Sequence, residues 1–176
     1  MLYSVIDIGS NTVKIAVLDE ERIFSQVPVF FKASPLNLRS KVENDNLKES
    51  AIGELCALLK QYLETSKRLT PNPPIAFATA SLRGLKNSDR VLAAVKSEKG
   101  LDVSLISGET EALYSFLGAR GSFPVKAGIS VDLGGGSTEL LAFRKNNVLK
   151  SVSLPFGCLT LYNTFFENGK NDYQGC

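Results

Sequence analysis

The chain has 176 residues, of which 44% are hydrophobic and 22% are charged, and its formal net charge is +2. A sequence of this length and composition indicates a globular protein with one domain, or with one domain and the start of a second. The small net charge gives no reason to expect a nucleic-acid or membrane partner, and no apolar run approaches the roughly 18 residues of a membrane helix. The first residues lack the basic region and the cleavage site of a signal peptide, so we predict a cytoplasmic location.

Histidine is absent, and the three cysteines (Cys56, Cys158 and Cys176) show no CxxC spacing. This excludes Ser-His and Cys-His catalytic pairs and His-based metal sites, and it gives no disulfide framework and no zinc site. Cys56 falls within a helical pattern and is predicted to be a core residue. We expect any hydrolysis to depend on carboxylates, on a lysine or on a metal-bound water.

Three apolar runs open the chain, at residues 3–8, 12–18 and 22–31, and short polar breaks separate them. This pattern predicts an antiparallel meander of three strands. The first run is apolar on both of its faces, which is typical of a central strand that is covered on both sides. The polar segment 32–46 that follows is predicted to be a loop.

Helices and strands alternate after this loop. Apolar residues at helical spacing predict helices at residues 47–63, 87–99 and 108–119. Short apolar runs predict strands at residues 75–79 and 102–106. In the third helix, the residues expected to face inward are Leu113, Phe116 and Leu117.

The apolar character of the opening strand returns at residues 127–133. Two more strands are predicted at residues 137–143 and 148–154, with Asn146-Asn147 as the hairpin turn between them. The segment 157–166 is predicted to be a helix.

This order of elements predicts an α/β fold with a mixed sheet and helices on its faces. We divide the chain into a first lobe, residues 1–125, and the first elements of a second lobe, residues 126–176. The second part has too few elements to close a core of its own. We therefore expect the chain to be a fragment of a longer two-lobed protein, or a truncated copy of one.

Two turns of similar sequence follow apolar strands: Asp7-Ile8-Gly9-Ser10-Asn11-Thr12 and Asp132-Leu133-Gly134-Gly135-Gly136-Ser137-Thr138-Glu139. Glycine lets the backbone approach a ligand closely, and successive N–H groups in such a turn can bind an anion. An aspartate at the strand end can hold Mg²⁺, usually through water. A hairpin turn with an incidental acid is the alternative for either turn alone, but the pair predicts that Asp7 and Asp132 face each other across one phosphate chain.

Two further segments carry candidate catalytic groups. Ser107-Gly108-Glu109-Thr110-Glu111-Ala112 begins a predicted helix, and one of its glutamates is a candidate base for a water that attacks a phosphoryl group. Capping of the helix dipole is the alternative role of these acids. Arg83 ends the segment Ala78-Thr79-Ala80-Ser81-Leu82-Arg83 and suits bidentate phosphate binding, although a lone arginine is more often a solvated surface residue.

Together these segments resemble the exopolyphosphatase/guanosine pentaphosphate phosphatase (Ppx/GppA) family. The similar motifs occur in the family's order, at Val5–Thr12, Ala78–Arg83 (ATxxxR), Ile106–Ala112 (SGEEEA), Val131–Leu140 (IDIGGGSTEL) and Ser153–Gly157 (SLPLG). The resemblance implies an actin-like ATPase (ribonuclease H-like) fold with two lobes and a cleft between them. It also implies magnesium-dependent removal of terminal phosphate from inorganic polyphosphate or from guanosine pentaphosphate.

The resemblance further implies roles for individual residues. Glu111 is expected to be the catalytic base, with Glu139 beside it to orient water or bind metal, and Asp7 and Asp132 are expected to hold Mg²⁺. Phosphate is expected to contact Arg83 and the residues of both turns, namely Ser10, Asn11, Thr12, Gly134, Gly135, Gly136, Ser137 and Thr138.

The chain departs from the family pattern in two respects. Leu113 stands where the family usually has an arginine, which removes one phosphate contact or support. The chain is also shorter than family members, which carry a full second lobe, so its cleft is expected to be half open to water. The predicted partners are polyphosphate or guanosine pentaphosphate, with no nucleic acid and no membrane; the oligomeric state is open, and a homodimer is one of the assemblies considered.

Three functional hypotheses follow. The first is that the parent protein hydrolyses polyphosphate or guanosine pentaphosphate, with little or no turnover by the isolated chain. The second is a regulatory module that binds phosphate compounds without turnover. The third keeps the fold but assigns ATP-dependent kinase or actin-like chemistry, against which the Ser-Gly-Glu-x-Glu-Ala motif argues, because it supplies a base for water.

Overall fold

The computed structural model describes residues 1–25, 27–123, 125–145 and 147–166. In chain order the strands of these segments are β1 (Leu2–Ile8), β2 (Thr12–Asp19), β3 (Phe30–Pro35), β4 (Val42–Glu43), β5 (Asn46–Leu47), β6 (Ile75–Ala78), β7 (Val103–Leu105), β8 (Ala127–Leu133), β9 (Thr138–Arg144) and β10 (Asn147–Leu154). The helices are α1 (Glu49–Leu69), α2 (Ser88–Lys99), α3 (Gly108–Arg120) and α4 (Cys158–Phe165).

A five-stranded mixed sheet forms the first part of the molecule, with the strand order β3-β2-β1-β6-β7. The strands β1, β2 and β3 are antiparallel neighbours, whereas β6 and β7 run parallel to β1. Parallel neighbours need a crossover connection, which α1 provides between the meander and β6, and α2 provides between β6 and β7. The predicted meander, the mixed sheet and the central position of the first strand are confirmed.

The main core lies between this sheet and the helices α1 and α2. Ile6 and Ile8 of β1 are fully buried in it, and Leu55 and Leu59 of α1 are fully buried as well. The hydroxyl of Tyr62 donates to the main-chain oxygen of Val13 at 3.0 Å, so this large side chain is buried with its polar atom paired.

The opposite face of β1 is only half-buried, at Tyr3, Val5 and Asp7. The predicted cover of this strand is therefore complete on one face and partial on the other. The apolar sequence of a strand shows which side chains can be buried. The elements that pack on each face of the sheet determine which of these side chains are buried.

The third strand lies later in the chain than predicted. Residues 22–31 were expected to form it, but Glu20–Ser25 is a 3₁₀ helix and β3 begins only at Phe30. It continues through Lys32 and Ser34 to Pro35, inside the segment that was predicted to be a loop. As an edge strand, β3 pairs its main chain with β2 on one side only, which is compatible with a terminal proline. Most of its side chains are exposed, which is compatible with polar residues.

A second, three-stranded antiparallel sheet has the order β10-β9-β8, and α3 packs on one of its faces. Ala112 and Phe116 of α3 are buried against Leu141 of β9. Leu117 was expected to face inward, but it is 53% exposed. It follows Phe116 by one residue, and therefore points about 100° away from the buried face of the helix.

The other face of the second sheet remains open to solvent. Ile129, Val131 and Leu133 alternate along β8 on this face and are 68%, 62% and 58% exposed. The division of the chain at residue 125 stays a prediction, and α3, which precedes that point, shares its core with the strands that follow it. Within the described segments no helix is both long and apolar enough to cross a membrane.

The core between α1 and the sheet gives a stability prediction. Leu59→Ala removes a fully buried side chain and leaves a cavity, so we expect it to lower the free energy of unfolding by about 2–5 kcal/mol. Leu69→Ala, in the same helix but at a 36% exposed position, is the control and should cost less than about 1 kcal/mol. Urea unfolding followed by circular dichroism measures both, and an equal loss in the two variants would contradict the assigned core.

Candidate active site

The two Asp-Gly turns share one backbone geometry. In the first turn the N–H of Gly9 donates to the main-chain oxygen of Thr12 at 3.2 Å. In the second the N–H of Gly134 donates to the main-chain oxygen of Ser137 at 3.0 Å. Each bond closes a tight connection between antiparallel strands, so the same hairpin is built twice, once in each sheet.

The equivalence extends to the strand residues beside each turn. Asp7 is paired in register with Lys14 across the first hairpin, and Asp132 is paired with Glu139 across the second. In both cases the partner lies seven positions after the aspartate. The Lys14 ammonium lies 3.4 Å from a carboxylate oxygen of Asp7, so the first hairpin carries an ion pair where the second carries two acids.

The two turns lie against each other. A methyl group at Gly136 would come within 2.5 Å of the Ser10 hydroxyl and 3.5 Å of the Ala80 side chain. A methyl group at Gly135 would lie 3.5 Å from the side chain of Asn11. Gly136 is therefore needed because Ser10 of the first turn occupies the space that a side chain would fill, whereas the tightest contact at Gly135 is with Leu159 of α4 at 3.1 Å.

The start of α4 is hydrogen-bonded to the main chain of the second turn. The N–H groups of Cys158 and Leu159 donate to the main-chain oxygens of Gly134 and Gly135, at 2.9 and 3.0 Å. A side chain at Gly157 would collide with the main chain of the same two glycines. The first N–H groups of a helix have no partner inside the helix, so the turn satisfies them and is itself fixed in place.

Glu111 reaches the cleft from the first turn of α3. Ser107 caps the helix by accepting a hydrogen bond from the Thr110 N–H at 3.2 Å, which sets the direction in which the helix starts. The Glu111 side chain is 18% exposed, whereas Glu109 lies on the outside. The structure thus separates the two glutamates of the motif and brings only Glu111 to the cleft.

Burial, and after it the nearby Glu139 carboxylate, raise the pKa of Glu111 to about 7, although Arg83 and Thr79 oppose the rise. The Arg83 guanidinium lies 3.0 Å from Oε2 of Glu111, but this oxygen has no aligned hydrogen-bond donor among the described residues. A carboxylate with a pKa near neutrality that lines a cleft has the properties of a general base.

The two aspartates have different surroundings. Asp132 accepts a hydrogen bond from the hydroxyl of Ser115 in α3. Asp7 has one oxygen near Lys14, and its other oxygen, Oδ1, is buried with no hydrogen-bond partner among the described residues. Burial raises the pKa of Asp7, Lys14 lowers it, and the charge of Asp132 adds a smaller increase. Both aspartates line the same cleft.

Most of the predicted site residues border one cleft of about 170 Å³. Those that line it are Asp7, Ser10, Asn11, Thr12, Glu111, Asp132, Gly134, Gly135, Gly136, Ser137 and Glu139. Thr138 and Arg83 do not. The Thr138 hydroxyl donates to the main-chain oxygen of Phe156 at 2.7 Å, and Arg83 lies behind the two glutamates.

Sequence reasoning missed four polar residues of this region: Lys14 and Thr79 in the cleft wall, Ser115 on Asp132, and Ser153, which donates to Glu139 at 2.7 Å. Lys14 could have been found, because it follows Asp7 at the same spacing at which Glu139 follows Asp132. The two serines carry no such signal, since each reaches its carboxylate from a different element.

The family model of the Ppx/GppA phosphatase family matches residues 21–175. The chain belongs to this family. The first Asp-Gly turn precedes the matched segment, and Arg83, Glu111 and the second turn lie inside it.

Individual Ppx/GppA proteins agree with this assignment. Exopolyphosphatase 1 of Mycobacterium tuberculosis is 28% identical over 160 residues, which are 89% of this chain and 46% of the relative. The crystal structure of the Aquifex aeolicus Ppx/GppA family member superposes with a TM-score of 0.79 at 33% identity and covers 95% of this chain and 55% of its own. The chain spans about half the length of the curated relatives that it matches.

The fold is that of the actin-like ATPases, as expected. MreB5 of Spiroplasma citri, in a crystal structure with ADP, superposes with a TM-score of 0.54 at 12% identity and covers 98% of this chain and 57% of its own. At this identity the likeness concerns the fold alone. The predicted α/β class with a mixed sheet is confirmed by the two sheets and their helices.

The raised pKa of Glu111 predicts a pH-dependent stability. Its pKa is about 7 in the folded protein and near 4.5 in a free side chain, so the folded state binds more protons between these values. Stability contributed by the protonated group is therefore lost as the pH rises through this window. Glu111→Gln keeps the neutral form, and we expect it to be more stable than the unsubstituted chain near pH 8 by about 1–3 kcal/mol.

The comparison is made by urea unfolding near pH 8 and near pH 5, where the difference should shrink because both proteins then carry a neutral side chain. Glu109→Gln is the control, because hydrogen bonds from its own N–H and from Ser107 lower the pKa of this exposed carboxyl. It should give no gain near pH 8. Equal stability of Glu111→Gln and the unsubstituted chain at both pH values would contradict the burial of a charged Glu111.

Proposed function

We propose that this chain carries the catalytic groups of a magnesium-dependent phosphohydrolase that removes terminal phosphate from inorganic polyphosphate or guanosine pentaphosphate. The observation that carries the proposal is Glu111, a half-buried carboxyl whose pKa is about 7, in a cleft between two turns suited to phosphate. Membership of the Ppx/GppA phosphatase family, and a relative named an exopolyphosphatase, support this substrate class.

The charges of the cleft support a divalent cation. Four carboxylates line it, from Asp7, Glu111, Asp132 and Glu139, with Lys14 as a cation in the described wall. A polyphosphate anion would be repelled by this set unless a cation came with it. Within the described ranges no three acidic or cysteine side chains form a metal cluster. Mg²⁺ does not need one, because it commonly binds to one or two carboxylates plus substrate phosphates and water.

Asp7 and Asp132 are the residues that would hold Mg²⁺. The buried and unpaired Oδ1 of Asp7 is an acceptor that a hard cation would satisfy, and Ser115 orients Asp132 by a hydrogen bond. When bound, Mg²⁺ would neutralise charge on the phosphoryl oxygens. Mg²⁺ fits these two residues because both offer carboxylate oxygens and both line the same cleft.

The chain's own residues supply the proton transfer and the positioning. Glu111 takes a proton from a water molecule, whose oxygen forms a bond to the terminal phosphorus while the bridging P–O bond breaks. The electron pair of that bond stays on the oxygen of the shortened chain, and orthophosphate is the other product. Glu139 is held at the same wall and orients the water. The two turns hold the phosphate groups through main-chain N–H groups and the hydroxyls of Ser10, Thr12 and Ser137.

A regulatory module that binds phosphate without turnover is the second candidate. It is favoured by Leu113, which stands where the family resemblance expects an arginine. In a cleft that is open to water, electrostatic stabilisation of a transition state is weaker. We therefore expect slow hydrolysis by this chain, with binding better preserved than turnover.

Phosphate release tests the proposed function. The chain is incubated with polyphosphate, or with guanosine pentaphosphate, in the presence of MgCl₂, and orthophosphate is measured. We expect slow release that Glu111→Gln lowers by at least about 100-fold, because a positioned base contributes about that much. Release without MgCl₂ should be at background.

Calorimetry with the same ligands separates the two candidates. Binding without release by the unsubstituted chain would support the regulatory module and overturn the hydrolase. Equal release by the chain and by Glu111→Gln would overturn the role of this residue. Neither binding nor release would overturn both candidates.

The contact between the two turns gives another prediction. In Gly136→Ala the added methyl group meets Ser10 and forces the turns apart. We expect polyphosphate to bind about tenfold more weakly in the presence of MgCl₂, a loss of about 1.4 kcal/mol. Gly53→Ala in α1 is the control, since a methyl group there has nothing within 4 Å, and its affinity should not change. Unchanged calorimetric affinity of Gly136→Ala would contradict a ligand held between the turns.

A further inference from the structure

A network of polar side chains lies behind the two glutamates of the cleft. The Arg83 guanidinium is 3.0 Å from a carboxylate oxygen of Glu111 and 3.6 Å from one of Glu139. It also donates to the main-chain oxygen of Ile106 at 3.2 Å and to the Ser153 hydroxyl at 3.4 Å. Four groups from different parts of the fold thus surround one guanidinium.

Ser153 connects this arginine to Glu139. Its hydroxyl accepts from Arg83 and donates to Oε1 of Glu139 at 2.7 Å. Glu139 is only 2% exposed, so this hydrogen bond is shielded from water. Ser153 is paired in register with Glu139 across β9 and β10, which fixes the two side chains on the same face of the sheet.

The main chain of α3 leaves no free space around this contact. A methyl group at Gly108 would overlap the Ser153 side chain and would lie 3.6 Å from the guanidinium carbon of Arg83. The start of α3, which carries Glu111 three residues later, therefore packs directly on the serine. The position of Glu111 and the position of Glu139 are set by one set of contacts.

We propose that Arg83 and Ser153 are positioning residues, which hold Glu139 as a fixed hydrogen-bond acceptor and aim Glu111 at the cleft. The two carboxylates are held in different ways, because Oε1 of Glu139 accepts a hydrogen bond from Ser153 whereas Oε2 of Glu111 forms an ion pair with Arg83 at 3.0 Å. The expected effect on hydrolysis rests on the proposed function, whereas the arrangement of the network is independent of that proposal.

The role of Arg83 in this network differs from the phosphate contact that the family resemblance implies. A residue that binds phosphate should line the cleft. Arg83 does not line it. The guanidinium donates to the Ile106 oxygen and to Ser153 and lies within 3.6 Å of both carboxylates, so its recorded contacts are all with the protein. The planar guanidinium of arginine presents several fixed N–H donors to this set of acceptors. The single ammonium group of a lysine cannot match them in the same way.

Three variants of the chain test the proposal in the phosphate-release assay. Ser153→Ala removes the link to Glu139, and Arg83→Lys keeps the charge but removes the fork. Ser151→Ala is the matched control, because Ser151 lies in the same strand but is paired with Leu141. We expect Ser153→Ala and Arg83→Lys to lower kcat by about 10–100-fold, as the loss of such outer contacts commonly does. Ser151→Ala should stay within about twofold.

The split between kcat and KM distinguishes positioning from phosphate binding. We expect the calorimetric Kd for polyphosphate with MgCl₂, and KM, to change by less than about twofold in Arg83→Lys. A tenfold weaker Kd with kcat unchanged would overturn the proposal and restore Arg83 as a phosphate ligand. An unchanged kcat in both variants would overturn it as well. If Ser153→Ala does not fold, Arg83→Lys carries the same test at a side chain that is 26% exposed.

A spectroscopic measurement keeps the network testable if the chain releases no phosphate. Carbon-13 NMR of the glutamate carboxyl groups, assigned with Glu111→Gln and Glu139→Gln, reports their surroundings at one fixed pH. We expect Ser153→Ala to shift the Glu139 signal and Ser151→Ala to leave it in place. An unmoved Glu139 signal would overturn the network, whereas absent phosphate release with a shifted signal would overturn the proposed hydrolysis alone.

Discussion

The contact between the two glycine-containing turns is the constraint on which the rest of the structure depends. Ser10 in the first turn fills the space beside Gly136 in the second, so the ends of β1 and β8 are held at a short and fixed distance. Because each aspartate stands two residues before the first glycine of its turn, this contact also fixes Asp7 relative to Asp132. The hydrogen bonds from α4 to the second turn and the packing of α3 on the second sheet support the same arrangement.

Bringing four carboxylates into one cleft is unfavourable unless their charge is compensated. Lys14 compensates part of the charge of Asp7, and Arg83 lies near Glu111 and Glu139. The compensation is incomplete, because burial still raises the pKa of both Asp7 and Glu111. A folded protein that retains such groups stores unfavourable energy that a bound cation can relieve, which links the electrostatics of the cleft to its proposed ligand.

Sequence patterns described the buried elements well and the edges poorly. The strand of residues 127–133 and the helix ended by Gly100 were predicted with nearly their observed bounds, because apolar periodicity and a left-handed glycine are local signals. The edge strand β3 was misplaced because polar Lys32 and Ser34 can belong to it. Leu117 was assigned to the wrong face because the direction from which a sheet packs on α3 is not written in the sequence of α3.

The sequence by itself determined the two Asp-Gly turns, the glutamate motif and the family, since each depends on residue types at fixed spacing along the chain. The motif also singled out Glu111 as the expected base, and only the tertiary structure decided that Arg83 lies beside both glutamates outside the cleft lining and that Ser153 is bonded to Glu139. The physical reason is that burial and hydrogen-bond partners arise from segments far apart in sequence. A serine on β10 and an arginine after β6 become neighbours only when two sheets and α3 pack together.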